Sequence, residues 1–138
     1  MTPWQKLKNA YFNLSAYADL SPDLSRRRQV NRALESRPVI NRHDWCHTLW
    51  PKTYSAKILA FVYDHLPQYS GLAAGALRPD DQLEADLSWT HICAFDWDAD
   101  MCDDFQQVFG YDISDHLMGA SLDTLEDLVI CLHQQASP

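Results

Sequence analysis

Large apolar residues recur at intervals of three and four along most of the chain, which is the spacing of one face of an α-helix. From residue 55 to 66 they occupy nearly every side of the predicted helix, so this helix should be central and buried, and Pro67 should end it. Residues 96–109 predict a second strong helix with one apolar face. This dense apolar periodicity, together with only four glycines in 138 residues, predicts an all-α fold.

Proline, glycine and capping residues mark the ends of the other predicted helices. Ser21 is a natural N-cap with Pro22 at the first helical position, and Gly110 can take the left-handed conformation that ends a helix. Asp123 and Glu126 have the spacing of a capping box for the last helix. Together with the apolar spacing, these signals predict helices over residues 4–18, 22–34, 44–50, 113–118 and 123–134.

A long irregular stretch, residues 68–95, separates the two strongest predicted helices. Connections of this length are uncommon in compact domains unless they are functional or fixed by their own side chains. We expect burial of Leu83, Leu87 and Trp89 to fix this one.

Three features bear on the cellular location. No run of apolar residues reaches the length of about 18 that a membrane span needs. The first residues lack the apolar core of a secretion signal. Cys46, Cys93, Cys102 and Cys131 lie far apart and are expected to be reduced thiols. The sequence therefore predicts a cytoplasmic protein.

Charge is divided sharply along the chain. Residues 1–78 contain all eleven basic residues and five acidic ones, a net charge of +6, whereas residues 79–138 contain fourteen acidic residues and no basic one, −14. Two interpretations remain open: a solvated face that keeps the protein soluble, or a docking surface for a basic partner. Phosphates would be repelled by the acidic half, so no nucleic-acid partner is expected there.

The predicted helix 96–109 carries the densest group of carboxylates. A calcium loop would need a glycine at its bend and a terminal glutamate at a fixed offset, and neither is present. A single helix also cannot wrap these side chains around a cation. The group therefore indicates a solvated or partner-binding face, formed by Asp96, Asp98, Asp100, Asp103 and Asp104.

His43, Cys46 and His47 have the helical spacing of a set of zinc ligands, and His91 with Cys93, or Cys102, would have to complete it. Buried cysteines are common core residues and no paired-cysteine spacing is present, so no metal site is expected. The chain also lacks a glycine-rich phosphate loop and a nucleophile elbow. We predict that it is not an enzyme.

Three short motifs in the second half resemble one known family. They are LEADL at 83–87, FGYDISD at 109–115 and DTLEDLV at 123–129. Together with the order of predicted helices over residues 55–134, they resemble the acyl carrier proteins, and in particular carrier-like bacterial proteins with acidic residues at the start of helix two. The resemblance implies an acyl-carrier-like four-helix bundle over residues 55–138, with residues 1–54 forming an N-terminal helical extension packed on it.

Carriers bear 4′-phosphopantetheine on a serine at the start of helix two. Counting back from Phe109, that position falls on Phe95, whose ring has no hydroxyl to attack a cofactor phosphate. A shifted register would bring Ser88 into use. The sequence around Ser121 also resembles the carriers' serine motif. Only 17 residues follow Ser121, too few for the remaining helices of a carrier, so helix capping explains this match better.

The resemblance implies a non-catalytic carrier-like protein without a bound cofactor, acting as an interaction or regulatory module. Its acidic helix, with Asp96, Asp98, Asp100, Asp103 and Asp104, would bind a basic protein surface, such as that of an acyl-chain or lipid-synthesis enzyme. Three alternatives remain open. One is a metal-binding regulator that uses His43, Cys46 and His47. The chain could be a working carrier in lipid or polyketide metabolism, with the cofactor on Ser88 or another serine. The helix containing Arg26–Arg32 could instead cover the acidic surface within the same chain.

Overall fold

The computed structural model describes residues 22–136, which form seven α-helices and contain no β-strand. The all-α prediction is confirmed for these residues. The predicted helix 4–18 and the predicted cap Ser21 lie outside the described residues. The helices are α1 Leu24–Leu34, α2 Arg42–His47, α3 Ala56–Ser70, α4 Trp89–Ile92, α5 Trp97–Phe109, α6 Ser114–Gly119 and α7 Leu125–Ala136.

Helix α3 lies at the centre, as its all-round apolar character predicts, but it runs past Pro67 to Ser70. The prediction that Pro67 ends it is wrong. A proline inside a helix removes one hydrogen bond and costs about 3 kcal/mol. Burial of Leu66, Tyr69 and Ser70 offsets this cost, and the Ser70 hydroxyl donates to the Leu66 carbonyl at 2.8 Å. Gly71 then ends the helix with φ +73°.

The first two described helices begin at side-chain caps. Helix α1 starts two residues later than predicted, because the Asp23 carboxylate accepts the Arg26 amide hydrogen at 2.9 Å. Asn41 caps α2 by accepting from the Asp44 amide at 2.9 Å. Helix α2 ends at His47, earlier than the predicted end at residue 50.

The N-terminus of α7 has a capping box, one residue later than predicted. The Thr124 hydroxyl accepts from the Asp127 amide at 3.2 Å, and the Asp127 carboxylate accepts from the Thr124 amide at 3.0 Å. Glu126, the predicted partner, instead accepts a hydrogen bond from the Tyr54 hydroxyl at 2.9 Å. A tertiary contact therefore decides the register of the cap.

The connection between α3 and α5 is ordered by burial and by backbone pairing with the start of α7. Leu83, Leu87 and Trp89 are buried, as predicted. The Leu83 amide donates to the Asp123 carbonyl at 2.9 Å, and the Leu125 amide donates to the Asp81 carbonyl at 2.9 Å. A 3₁₀ turn, Ala74–Ala76, and the short helix α4 lie within this connection.

The basic part of the chain is joined to this connection by its arginines. Arg37 binds the carboxylate of Asp81 in a bidentate arrangement at 2.7 and 2.8 Å, and Asp81 is only 3% exposed. Arg27 donates twice to the Ile92 carbonyl, at 3.2 and 2.6 Å. Val30 and Trp45 are buried in the same hydrophobic core as α3, α5 and α7.

Within residues 22–136, no helix has the length and hydropathy required to cross a membrane.

Candidate docking surface

Helix α5 presents one face to the core and the opposite face to solvent. Met101, Cys102 and Phe105 are buried, and the Phe105 ring meets Phe61 of α3 edge to face with centroids 5.5 Å apart. Gly110 ends the helix with φ +82°, as predicted. The core contacts fix the rotation of α5, so they also fix which carboxylates are exposed.

Three of the five predicted carboxylates form a single exposed stripe. Asp96, Asp100 and Asp103 are all exposed and lie four and three residues apart, so they share one side of the helix. Exposed Gln107 continues the stripe by one more turn. We call Asp96, Asp100 and Asp103 the acidic stripe.

Asp104 has a different environment from the acidic stripe. It is half-buried, and its carboxylate accepts a 2.6 Å hydrogen bond from the Tyr69 hydroxyl of α3. Burial, and then this hydrogen bond, raise the pKa of Tyr69. Sequence analysis missed Tyr69 because it placed this residue in a loop after Pro67. Asp104 therefore joins α5 to α3 and is less available to a partner.

Asp98 is also half-buried, on the side of α5 away from the acidic stripe. Its carboxylate accepts from the amide of Ala99 at 3.0 Å, and it makes a further interaction of its own. A carboxylate in the first turn interacts favourably with the free amide groups there. The five predicted residues therefore divide into the acidic stripe and two residues held by the protein.

Within the acidic stripe, the environment of Asp100 disfavours its ionised form. Partial burial, followed by repulsion from the neighbouring carboxylates, raises the pKa of Asp100. The neighbours that contribute are Asp96, Asp104, Asp103 and Asp98, in that order. Ionisation of Asp100 in the folded protein is therefore less favourable than in the unfolded chain, and a nearby cation would relieve the repulsion.

The arginine helix α1 lies against α4. Arg27 reaches the Ile92 carbonyl, and the Asn31 side-chain amide donates to the Gly71 carbonyl at 3.3 Å. Arg28 and Arg32 are exposed on the outer side of α1, and within residues 22–136 no ion pair joins either of them to a carboxylate. The described contacts of α1 therefore do not place Arg28 or Arg32 on the acidic stripe.

The two residues considered for cofactor attachment lie before α5. Phe95 is half-buried in the turn that leads into α5 and makes an interaction of its own. Ser88 precedes α4 in a left-handed conformation, φ +53°, which is uncommon for a residue other than glycine. It is half-buried, and its oxygen lies 3.5 Å from an Arg26 nitrogen. Ser121 is exposed in the segment before α7.

Cys46 does not converge with His43 and His47. Cys46 is buried in the core, whereas both histidines are exposed on the outside of α2. Cys93 and Cys102 are buried too, and burial raises the pKa of both thiols, that of Cys102 to about 12. In the described part of the chain, no three or more histidine, cysteine or acidic residues are grouped to hold a metal ion.

An open cleft of about 310 Å³ lies between α6 and α7. His116, Ser121, Cys131 and Gln134 contribute to its mixed polar and apolar lining. None of its lining residues belongs to α5.

Comparison of the chain with protein-family models, with curated proteins and with solved structures gave no match.

Proposed function

We propose that this chain is a cytoplasmic, non-catalytic protein with an acyl-carrier-like helical bundle that lacks the pantetheine serine, and that it acts as an interaction module. Its partner is a basic protein surface, and the acidic stripe on α5 is the contact. The expected partner class is an enzyme that handles acyl chains. This part of the proposal depends on the resemblance of residues 83–87, 109–115 and 123–129 to carriers.

One observation supports the proposal most strongly: Asp96, Asp100 and Asp103 are crowded on one exposed side of α5. Burial, and then repulsion from the neighbouring carboxylates, raise the pKa of Asp100. The chain has no basic residue after Arg78 to offset this repulsion nearby in sequence. A group of charges that lowers the stability of the fold, and gains no stabilising contact within it, is typical of a binding surface. Complementary charge on a partner would raise the association rate and the specificity of binding.

The test is charge reversal of the acidic stripe with Asp100→Lys and Asp103→Lys together. Asp103 is a better choice than Asp104, because Asp104→Lys would also break the hydrogen bond from Tyr69. Tagged protein is incubated with native lysate, captured partners are identified by mass spectrometry, and binding of the purified partner is measured. We expect the double variant to lose binding and the wild-type affinity to fall with added salt.

The matched control is Glu35→Lys with Asp115→Lys, which makes the same change in net charge at exposed acidic positions, one at the C-cap of α1 and one on α6. We expect this control to retain the partner. Equal loss of binding in both double variants would mean that net charge, and not the acidic stripe, drives the association.

A second candidate function, a working carrier, is supported by Ser88. Its hydroxyl makes no cap hydrogen bond with α4 and it is partly exposed, so the oxygen is not fully used by the fold. The test is intact mass after incubation with coenzyme A and a phosphopantetheinyl transferase. A mass increase equal to one phosphopantetheine arm, lost in Ser88→Ala, would establish the carrier and overturn the serine-less interpretation.

A further inference from the structure

The outer side of α2 carries two histidines one helical turn apart. His43 and His47 are both exposed, and their rings stack with centroids 4.4 Å apart and an angle of 25° between the ring planes. Residues four apart on a helix lie above one another, so their side chains can reach one common point. The two imidazoles are therefore already close together without any contribution from the rest of the fold.

A backbone contact sets the tautomer of one of the two rings. Nδ1 of His47 lies 2.8 Å from the carbonyl oxygen of His43. A carbonyl can only accept a hydrogen bond, so in the neutral ring Nδ1 carries the hydrogen and Nε2 keeps its lone pair. Metal-bound histidines in proteins commonly donate their other ring N–H to a carbonyl in this way, which fixes the tautomer and the ring orientation.

The charges around the pair tolerate a cation. The guanidinium of Arg42, next to His43, is neutralised by a bidentate contact with Asp64 at 3.0 and 2.9 Å. The carboxylate of Asp44 is exposed on the same short helix. The same Arg42–Asp64 contact joins α2 to α3, so the helix that presents both histidines is held in place.

We propose that His43 and His47 form an open, two-imidazole site for a divalent transition-metal ion, Zn²⁺ or Cu²⁺. Imidazole suits these ions, whereas Mg²⁺ and Ca²⁺ prefer oxygen ligands. A bound ion lies in the plane of each imidazole, and the stacked rings are nearly parallel, so the His43 ring must turn out of the stack about its soft ring torsion while His47 keeps its contact with the backbone. Water or an external ligand fills the remaining positions, and Cys46, which is buried, takes no part. This site is independent of the function proposed for α5.

The structure also provides a matched control. His65 of α3 has the same local geometry: its Nδ1 lies 2.9 Å from the carbonyl oxygen of Phe61, and the two rings stack at 4.2 Å with an angle of 24°. Phenylalanine takes the place of the first histidine, so this pair has only one imidazole and cannot chelate. His65→Ala therefore removes an equivalent single histidine without removing a two-histidine site.

The experiment is titration of Zn²⁺, and separately Cu²⁺, into the full chain prepared without a histidine tag, followed by calorimetry and by NMR of the histidine rings. We expect one site per chain, with the ring signals of His43 and His47 shifting together. Because chelation turns the second contact into an intramolecular one, His43→Ala or His47→Ala should each weaken binding by about 100-fold. His65→Ala and Cys46→Ser should leave binding unchanged.

Thermal unfolding provides a second readout, because an ion that binds only the folded chain stabilises it. Zn²⁺ should raise the Tm of the wild type and of His65→Ala, but not that of His47→Ala. Wild-type and His47→Ala chains that bind the ion equally would overturn the proposal. Loss of binding in Cys46→Ser would overturn it as well, because the thiol would then be a ligand.

Discussion

At the scale of single residues, Gly75 shows how closely two parts of the chain approach one another. A Cβ atom on Gly75 would lie 2.5 Å from the Ile40 carbonyl oxygen and 2.7 Å from Cγ1 of Val39. The same crossing carries a 2.9 Å hydrogen bond from the Ile40 amide to the Gly75 carbonyl. The segment between α1 and α2 is thereby held against the 3₁₀ turn.

We therefore predict that Gly75→Ala lowers the free energy of unfolding by about 1–3 kcal/mol, since the added methyl group meets backbone that cannot easily move. Urea denaturation measures the change. Gly119→Ala in α6 is the control: nothing lies within 4 Å of its added Cβ, so it should be neutral or slightly stabilising. If the Gly75→Ala chain is as stable as the wild type, the segment containing Val39 and Ile40 is not packed closely against Gly75.

At the scale of helices, the N-terminal cap of α7 provides a test that depends on pH. Hydrogen bonds from the Thr124 and Asp123 amides hold the pKa of Asp127 below its usual value of 3.8. Between the folded-state pKa of Asp127 and pH 3.8, the unfolded chain binds more protons at this carboxylate than the folded chain does. Stability therefore rises with pH across this range. The contribution is complete above pH 3.8 and is lost as pH falls through the folded-state pKa.

Replacing Asp127 with Asn should therefore lower the unfolding free energy at neutral pH by about 1 kcal/mol and flatten its dependence on pH at acid pH. Denaturation midpoints measured between pH 2 and pH 7 check this. Asp115→Asn, at an exposed carboxylate in the first turn of α6, is the comparison, because it removes the same charge without touching this cap. An unchanged slope in Asp127→Asn would mean that the cap does not hold the carboxylate.

The helices themselves could be predicted because local signals and packing agree. Helix α5 and its glycine end follow from apolar spacing and from Gly110. Two errors occurred where a tertiary contact overrides a local signal: burial beyond Pro67 extends α3, and the Glu126 carboxylate binds Tyr54 instead of the predicted cap. For the same reason, Tyr69 could not be identified from the sequence as the residue that binds Asp104. A third error was local, because Asp23 and not Ser21 caps α1.

At the scale of the whole molecule, the division of charge affects stability. The raised pKa of Asp100 means that the folded chain binds more protons than the unfolded chain just above pH 3.8, so this group lowers stability as pH rises through that window. Ionised Asp100 therefore opposes folding at neutral pH. Salt reduces this effect because it screens exposed charges.

We predict that Asp100→Asn stabilises the chain at pH 7, by less than about 1 kcal/mol because the site is largely exposed. The gain should shrink in high salt and below pH 4, as measured by Tm. Asp112→Asn should have the opposite sign, since hydrogen bonds from the Ser114 hydroxyl and amide lower the pKa of Asp112. Destabilisation by Asp100→Asn would contradict the idea of an uncompensated stripe.

The central claim is that the acidic stripe on α5 is the surface that a basic partner contacts. Its most direct test is to titrate the captured, purified partner into ¹⁵N-labelled protein and to map the backbone amides whose NMR signals move. We predict that the largest changes fall on residues 96–107 and vanish in the Asp100→Lys, Asp103→Lys chain. Changes concentrated on α1 or in the cleft between α6 and α7, with α5 unaffected, would contradict the claim.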